Sequence, residues 1–238
     1  DYIVHDLKEK APKICLAYVD AESGKVVRDH AKEWAEFYGL KLRLEVLPMG
    51  GLEAVSQVVS MKKAGITHTI IHHTSQGVIL LLREQSKFGL SIPVFGTSPT
   101  CAEETVRIGG KASRNYIGAH LYSSWYDETP GMANLRKITI GYHPGTEKPP
   151  RSKQYTGGWV AATILYEGMK RAGTNLNAET LVDSIETIRD FDTKGLCGPI
   201  TYTTNNHRGL YHCKLFKANP ETGRFIPITD WRRPPFRD

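Results

Sequence analysis

Apolar positions along the first half of the chain switch repeatedly between the period of a strand and that of a helix. Ile14 to Val19 (ICLAYV) is an unbroken apolar run, as expected of a strand covered on both faces. Val27, Ala31, Trp34 and Tyr38 follow at helical spacing, on one face of a helix that Gly39 ends. Leu40 to Leu47 alternates apolar and polar residues, which places a strand at or near a sheet edge. Leu52, Val55 and Val59 mark the next helix, stopped at Gly65. Then come a β-branched run from Ile66 to His73, a polar turn from Thr74 to Gly77, a helical run from Val78 to Phe88 and a short apolar run from Ile92 to Phe95. Strand, helix and strand make a βαβ unit, which demands a right-handed crossover and a parallel sheet. Ala102 to Ile108 predicts a weak helix and Tyr116 to Leu121 a fifth strand. Ahead of all these, Tyr2 to Lys10 reads as a short helix that Pro12 ends. The fold class is α/β: a doubly wound, parallel, five-stranded sheet complete near residue 122.

Beyond that point the alternation stops. YSSWYDETPG is aromatic and polar, Met132 to Ile140 is helical, and HPGTEKPPRS is a loop by its proline and glycine content. Lys153 to Ala172 predicts a strong helix stopped by Gly173, and Asn177 caps another that carries Leu181, Ile185 and Ile188. Ile200 to Thr203 and Leu210 to Lys217 pattern as a C-terminal hairpin across TNNHRG, Phe225 to Ile228 as a last strand, and the tail WRRPPFRD as mobile. Two helices and a hairpin without a sheet do not close a core alone. This half either packs on the first domain or belongs with elements outside this chain.

Composition narrows the function classes. The chain has 238 residues, 40% hydrophobic, with a net charge of +6. Its basic residues are spread along the sequence except in the tail WRRPPFRD and the loop EKPPRSK, whereas a nucleic-acid protein concentrates its charge and interleaves aromatics with it, so no nucleic-acid partner is expected. No apolar run approaches the roughly 20 residues that span a bilayer, so the chain is read as not membrane-spanning. It opens directly on helical sequence with no initiating Met and no signal peptide, the pattern of a mature, trimmed or partial chain. None of the four cysteines forms a CxxC pair. Cys15 and Cys101 read as buried thiols, whereas Cys197 and Cys213 flank the hairpin, so an oxidising compartment would allow a disulfide there.

Ligands in open α/β sheets sit beyond the carboxyl ends of the strands, so chemistry is sought at His72, His73, Thr74 and Ser75. His68 and His72 share one strand face and His73 the other, so the adjacent pair does not chelate a metal. Ser23 and Ser75 each begin a helix, as caps or as hydroxyls that hold a polar ligand beside free N–H groups; both roles are compatible. Gly24 allows a close approach. Val78 to Phe88 is read as core over the sheet, Lys153 and Arg151 as solvated loop charges, and Trp125 and Tyr126 either as cleft lining or as packing. No phosphate-binding glycine loop, nucleophile elbow or zinc motif occurs, so no catalytic residue, cofactor or metal is assigned.

The order strand, DAESGKV, amphipathic helix, strand, MGGLEAVSQVVSMKKAGITHTIIH, helix, FGLSIPVFG resembles the second lobe of the type I periplasmic solute-binding proteins. The nearest branch is the branched-chain amino acid (Leu/Ile/Val-type) receptors of ABC importers. KQYTGGWVAATILYEGMKRAG and FDTKGLCGPITYTTNNHRGLYHCKLFK resemble later segments of that family in the expected order. The resemblance implies two α/β lobes that trap a small solute between them, a membrane permease as partner, no cofactor, and a periplasmic or extracellular location, with a membrane-attached lipoprotein as a variant. It implies that residues 1–122 are lobe two, that 123–200 are helices of lobe one with the hinge crossings, and that 201–238 return to lobe two and end in the tail. The first-lobe sheet is left out. It further implies ligand contacts at Ser23 and Gly24, at His73, Thr74 and Ser75, at Thr97 and Ser98, and at Tyr155. Amino-acid-binding relatives often place a carboxylate after the fourth strand, where GTSPT offers hydroxyls, so a hydroxylated, amide or aromatic solute is as well suited as an amino acid. The alternatives are a Rossmann- or flavodoxin-like enzyme domain and the effector-binding core of a transcription regulator.

Overall fold

The computed structural model describes residues 1–148 and 150–233. They form two compact units, one of residues 1–120 with 215–229 and one of residues 121–214 with those from 230 onward.

The first unit is built on a mixed sheet of order β2-β1-β3-β4-β5-β6-β7. Its strands are β1 (Ile14–Val19), β2 (Leu42–Leu47), β3 (His68–His72), β4 (Val94–Gly96), β5 (Tyr116–His120), β6 (Lys214–Asn219) and β7 (Arg224–Pro227). Strands β1 to β5 pair in parallel, and β6 and β7 form an antiparallel hairpin. The expected parallel five-stranded sheet is therefore present with two further strands beside it. All of β1 is buried, while β2 is an edge strand with alternating exposure, as the sequence patterns require.

Helices α3 (Val55–Lys63), α4 (Ser75–Lys87) and α5 (Glu103–Gly109) cover one face. There Cys15, Ala17, Ile71, Val94, Tyr116 and Phe216 pack with Val58, Met61, Leu81 and Val106. Helices α1 (Tyr2–His5) and α2 (Glu22–Phe37) lie toward the other face, where Tyr2 meets the edge of Phe95 at 6.1 Å.

Several local expectations change. Helix α1 ends at His5 rather than Lys10, and Lys8 sits in the left-handed region. The buried face of α3 is Val58 and Met61; Leu52 is 92% exposed and takes no part. Strand β3 stops at His72 because the Thr74 N–H donates to His73 Nδ1 instead of extending a ladder. The hairpin expected across TNNHRG reduces to isolated bridges, Ile200 with Leu210 and Thr203 with Asn206, and the C-terminal hairpin of the sheet is β6–β7. Cys197 bridges to Tyr122 and Cys213 to Arg232, so the two sulfurs are not opposed and both remain thiols. Burial pushes Cys15 up to about 12 and Cys197 to about 11, which makes them inert packing groups. Of the tail expected to be mobile, Arg232 pairs with Cys213 and Trp231 lies under Lys214, whereas residues 234–238 fall outside the described residues.

The second unit holds α6 (Pro130–Tyr142), α7 (Lys153–Ala172) and α8 (Ala178–Glu186). Thr129, Ser152 and Asn177 cap them, the last in a full capping box with Thr180. Met132, Leu135, Val160, Ile164, Ile188 and Ile200 make its core. No sheet occurs in this unit among the described residues. Leu165, Tyr166 and Met169 of α7 and Val182 of α8 stand exposed.

Candidate functional site

Strands β1, β3 and β4 are neighbours, and their carboxyl ends release three polar turns within about 10 Å of one another. The strand order reverses at β1, where α2 and α4 leave to opposite faces, the arrangement at which open α/β sheets place a ligand crevice.

After β1 the chain enters α2 so closely that a Cβ on Gly24 would stand 1.9 Å from the Val19 carbonyl oxygen. Ala21, not Ser23, is the N-cap, and Ser23 lies exposed inside the first turn with its hydroxyl outside any cap. After β3, Thr74 is the cap rather than Ser75: its Oγ1 accepts from the Gly77 N–H at 3.4 Å. Ser75 follows, half-buried, as the first helical residue. After β4, Thr97 and Ser98 open a 3-10 turn over Ser98–Thr100. That turn is fixed from below. The buried Tyr116 hydroxyl donates to Thr100 Oγ1 at 2.6 Å, and Thr100 Oγ1 donates to the Thr97 carbonyl at 2.8 Å. Gly96 makes room for it, since a Cβ there would meet Tyr116 Oη at 1.9 Å.

The two histidines divide the work differently from the expectation. His73 is 7% exposed. Its Nδ1 accepts from the Thr74 N–H at 2.9 Å and its Nε2 donates to the Leu47 carbonyl at 3.3 Å, which fixes the tautomer with hydrogen on Nε2. The ring ties the end of β2 to the start of α4. His72, on the opposite face, is half-buried, lies in register with Tyr18 of β1, and shares a 2.9 Å hydrogen bond with Thr97. The structure thus pairs Thr97, one of the expected contacts, with His72, which was not among them. The strand periodicity already put His72 on the face away from His73. Tyr155 belongs to the second unit, where its hydroxyl shares a 2.9 Å bond with Thr139 and its ring meets the edge of Trp125 at 6.4 Å. Trp125 is buried and packs in that unit's core.

A cavity of about 490 Å³ opens beside the crevice, between the loop after β2 and the start of α4. Met49, Glu53, Gln76 and Leu80 line it, and of the expected residues only His73, Thr74 and Ser75 do. Among the described residues, no group of His, Cys, Asp and Glu side chains is placed to hold a metal ion, and no helix is long and apolar enough to cross a membrane.

Lys153, read from sequence as a solvated charge, is fully buried at the first turn of α7. It helps hold the Asp127 carboxyl in charge, as do Lys214 and the Ser124 N–H donating to Oδ2 at 3.1 Å, but burial dominates and raises Asp127 above the ordinary carboxylate range. Nothing in the local pattern separates a buried lysine from an exposed one at a helix start.

His68 and His72 are both held below the ordinary imidazole value of 6.5, chiefly by burial. The unfolded chain therefore takes up protons first as pH falls. The contribution of these two histidines to stability is flat above about pH 7 and drops through the window below the ordinary value. Denaturant midpoints between about pH 7 and pH 5 are expected to fall, and the double substitution His68→Gln and His72→Gln to flatten that slope. An unchanged slope in the double variant would assign the acid sensitivity elsewhere.

A family model described as "Periplasmic binding protein" matches residues 1–223. Comparison with curated protein sequences gives no match. Among solved structures, a branched chain amino acid ABC transporter from Thermus thermophilus with bound valine aligns at 22% identity and a TM-score of 0.84, over 98% of this chain and 63% of that one. A fatty acid ABC transporter substrate-binding protein from Thermomonospora curvata aligns at 18% identity and 0.78, over 98% and 60%. A leucine binding protein from Thermotoga maritima aligns at 14% identity and 0.78, over 98% and 63%. The chain thus spans under two thirds of the length of these proteins. The family match over nearly the whole chain, on a sheet whose strand order reverses at β1, establishes that this chain belongs to the periplasmic binding protein family.

Proposed function

We propose that this chain is the greater part of the extracytoplasmic solute-binding component of an ABC importer, and that it holds a small polar, aromatic or amino-acid-like solute without making or breaking bonds. The observation that carries the reading is the group of polar turns at the carboxyl ends of β1, β3 and β4, with His72 hydrogen-bonded to Thr97 at their centre. Ser23, Gly24, Thr74, Ser75, Thr97 and Ser98 are the contacts of this unit in the proposal. Gly24 acts through backbone approach, His73 positions Thr74, and Tyr155 is the aromatic contact of the second unit. The first unit takes the part of lobe two. The exposed apolar side chains of α7 and α8 support assigning those helices to lobe one. Solute contacts that differ between an open and a closed form shift the population toward closure, and the closed form engages the membrane permease.

Relatives of this fold bind solutes as different as valine and, by its name, fatty acid, so the solute itself is settled by experiment. A thermal-shift panel of aliphatic and aromatic amino acids, their amides, hydroxylated acids and fatty acids is expected to give a saturable rise with one class and no turnover. Thr97→Val removes the hydroxyl that pairs with His72 and is expected to weaken that binding about tenfold, the equivalent of one hydrogen bond. A shift produced by nucleotides alone would favour an enzyme domain and overturn the reading.

A further inference from the structure

In the first unit every helix returns to the amino end of the next strand, so the ends of α2, α3 and α4 and the turn before β5 gather at one pole, opposite the solute loops. That pole is basic. Lys62 and Lys63 end α3, Lys87 ends α4, Lys111 and Arg114 lie just before β5, and Lys13 just before β1; all are exposed. They are contiguous. Lys13 Nζ stands 3.6 Å from where a Cβ on Gly65 would be, and Lys62 Nζ donates to the Phe88 carbonyl at 2.8 Å. Lys111 and Arg114 line a cavity of about 290 Å³ together with Ser86, Ser91 and Asn115. Arg114 also lines a second hollow with Lys217 of β6. The carboxylates on this pole are Glu84, buried and 3.4 Å from Lys87, Glu221 at the hairpin turn, and Glu33 and Glu36 at the end of α2, with Lys41 just beyond them, while Asp6 and Glu9 offset Lys8 and Lys10 beside α1. The opposite pole is acidic: Asp20, Glu22, Glu53 and Glu104 stand there exposed against Lys25, which is within 3.9 Å of Glu22.

We propose that the amino-end pole of this unit is a docking surface for the anionic headgroups of a phospholipid bilayer. The cations are mostly lysines on flexible stems, spread across the ends of neighbouring elements rather than converging on one point. That arrangement suits a planar layer of charge, not a single phosphate, which needs bidentate donors aimed at one site. The aromatics near this pole do not form a stacking platform among the cations: Phe88 packs on the core, and Trp34, Phe37 and Tyr38 pack on one another at the end of α2 beside Glu33 and Glu36, so a nucleic acid is disfavoured. The acidic pole is repelled by the same layer, which fixes the orientation. Docked in this way, the molecule keeps the turns after β1, β3 and β4 toward solvent, where they are free to load solute.

The 238-residue chain is to be sedimented with vesicles of phosphatidylcholine alone and of phosphatidylcholine mixed with phosphatidylglycerol, over a series of salt concentrations. Binding is expected only to the mixed vesicles and to fall steeply as salt rises. A basic side chain near an anionic surface contributes about fivefold to partitioning, so the triple variant Lys63→Glu, Lys111→Glu and Arg114→Glu should lose on the order of a hundredfold or more. The variant Lys137→Glu with Lys170→Glu, which removes exposed cations of the second unit, is expected to bind as wild type, and thermal melts check that each variant is folded. Equal binding to neutral vesicles, no binding to mixed vesicles at low salt, a folded triple variant that binds as wild type, or tighter binding to soluble heparin than to the vesicles would each overturn the proposal.

Discussion

Truncation of Phe216 to alanine is expected to destabilise the first unit by about 3–5 kcal/mol, the range for deleting a fully buried aromatic ring. Phe216 is completely buried and packs in the cluster that joins β1, β3, β4 and β5 to α3, α4 and α5. It arrives there from a segment that follows residues 121–214 of the second unit in sequence. The aromatics of the flanking strands, Tyr116 of β5 and Phe225 of β7, sit 5.8 Å apart in the same cluster. Chemical denaturation should show the loss, and hydrogen exchange should place it: amides of β4 and β5 lose protection first, while those of α7 keep theirs. Ile188→Ala, in the core of the second unit, is the counterpart, with the order of loss reversed. A cost below about 1 kcal/mol at Phe216, the level of an ordinary surface change, would mean that β6 is an ornament on the sheet edge.

Gly24→Ala is the second large effect, and it links stability to the solute loops. The new methyl would stand 1.9 Å from the Val19 carbonyl oxygen and 3.0 Å from its carbon, and both are backbone. A flexible side chain could swing aside, but a strand end inside a parallel sheet cannot. Either α2 tilts away from β1 or the carbonyl rotates out of place, at a cost of about 3 kcal/mol or more, the upper range of overpacking. Because Val19 is the last residue of β1, the displacement should also weaken solute binding. Gly158→Ala on α7 is the matched control, since a Cβ there meets nothing within 4 Å. That change should stabilise by about 0.5–1 kcal/mol through helix propensity alone. If Gly24→Ala melts at the wild-type temperature, the tight entry into α2 is not a constraint on the fold.

How much of this was legible in the sequence varies with the range of the interaction. Ile14–Val19, Lys153–Ala172 and the helix capped by Asn177 fall where their patterns place them, because an apolar run and a capping box act over a few residues. The edge position of β2 follows in the same way from its alternation. Side-chain roles at the turns were harder to read. Thr74 and Ser75 are both good caps by type, and the choice fell to Thr74 because the neighbouring His73 ring takes the Thr74 N–H and fixes where the helix begins.

Local sequence alone determined the alternation of strands and helices, and with it the parallel sheet, the strand ends that carry the polar turns, and the resemblance to a binding-protein lobe. Tertiary structure decided what depends on partners distant in the chain. It carried the hairpin from Ile200–Lys217 to β6–β7, separated Cys197 from Cys213, and buried Lys153. It turned His73 inward to Leu47 and left His72 to meet Thr97, twenty-five residues on. Backbone periodicity is set by neighbours a few positions away, whereas the direction in which a polar side chain is satisfied is set by whichever donor or acceptor the packed fold brings within reach.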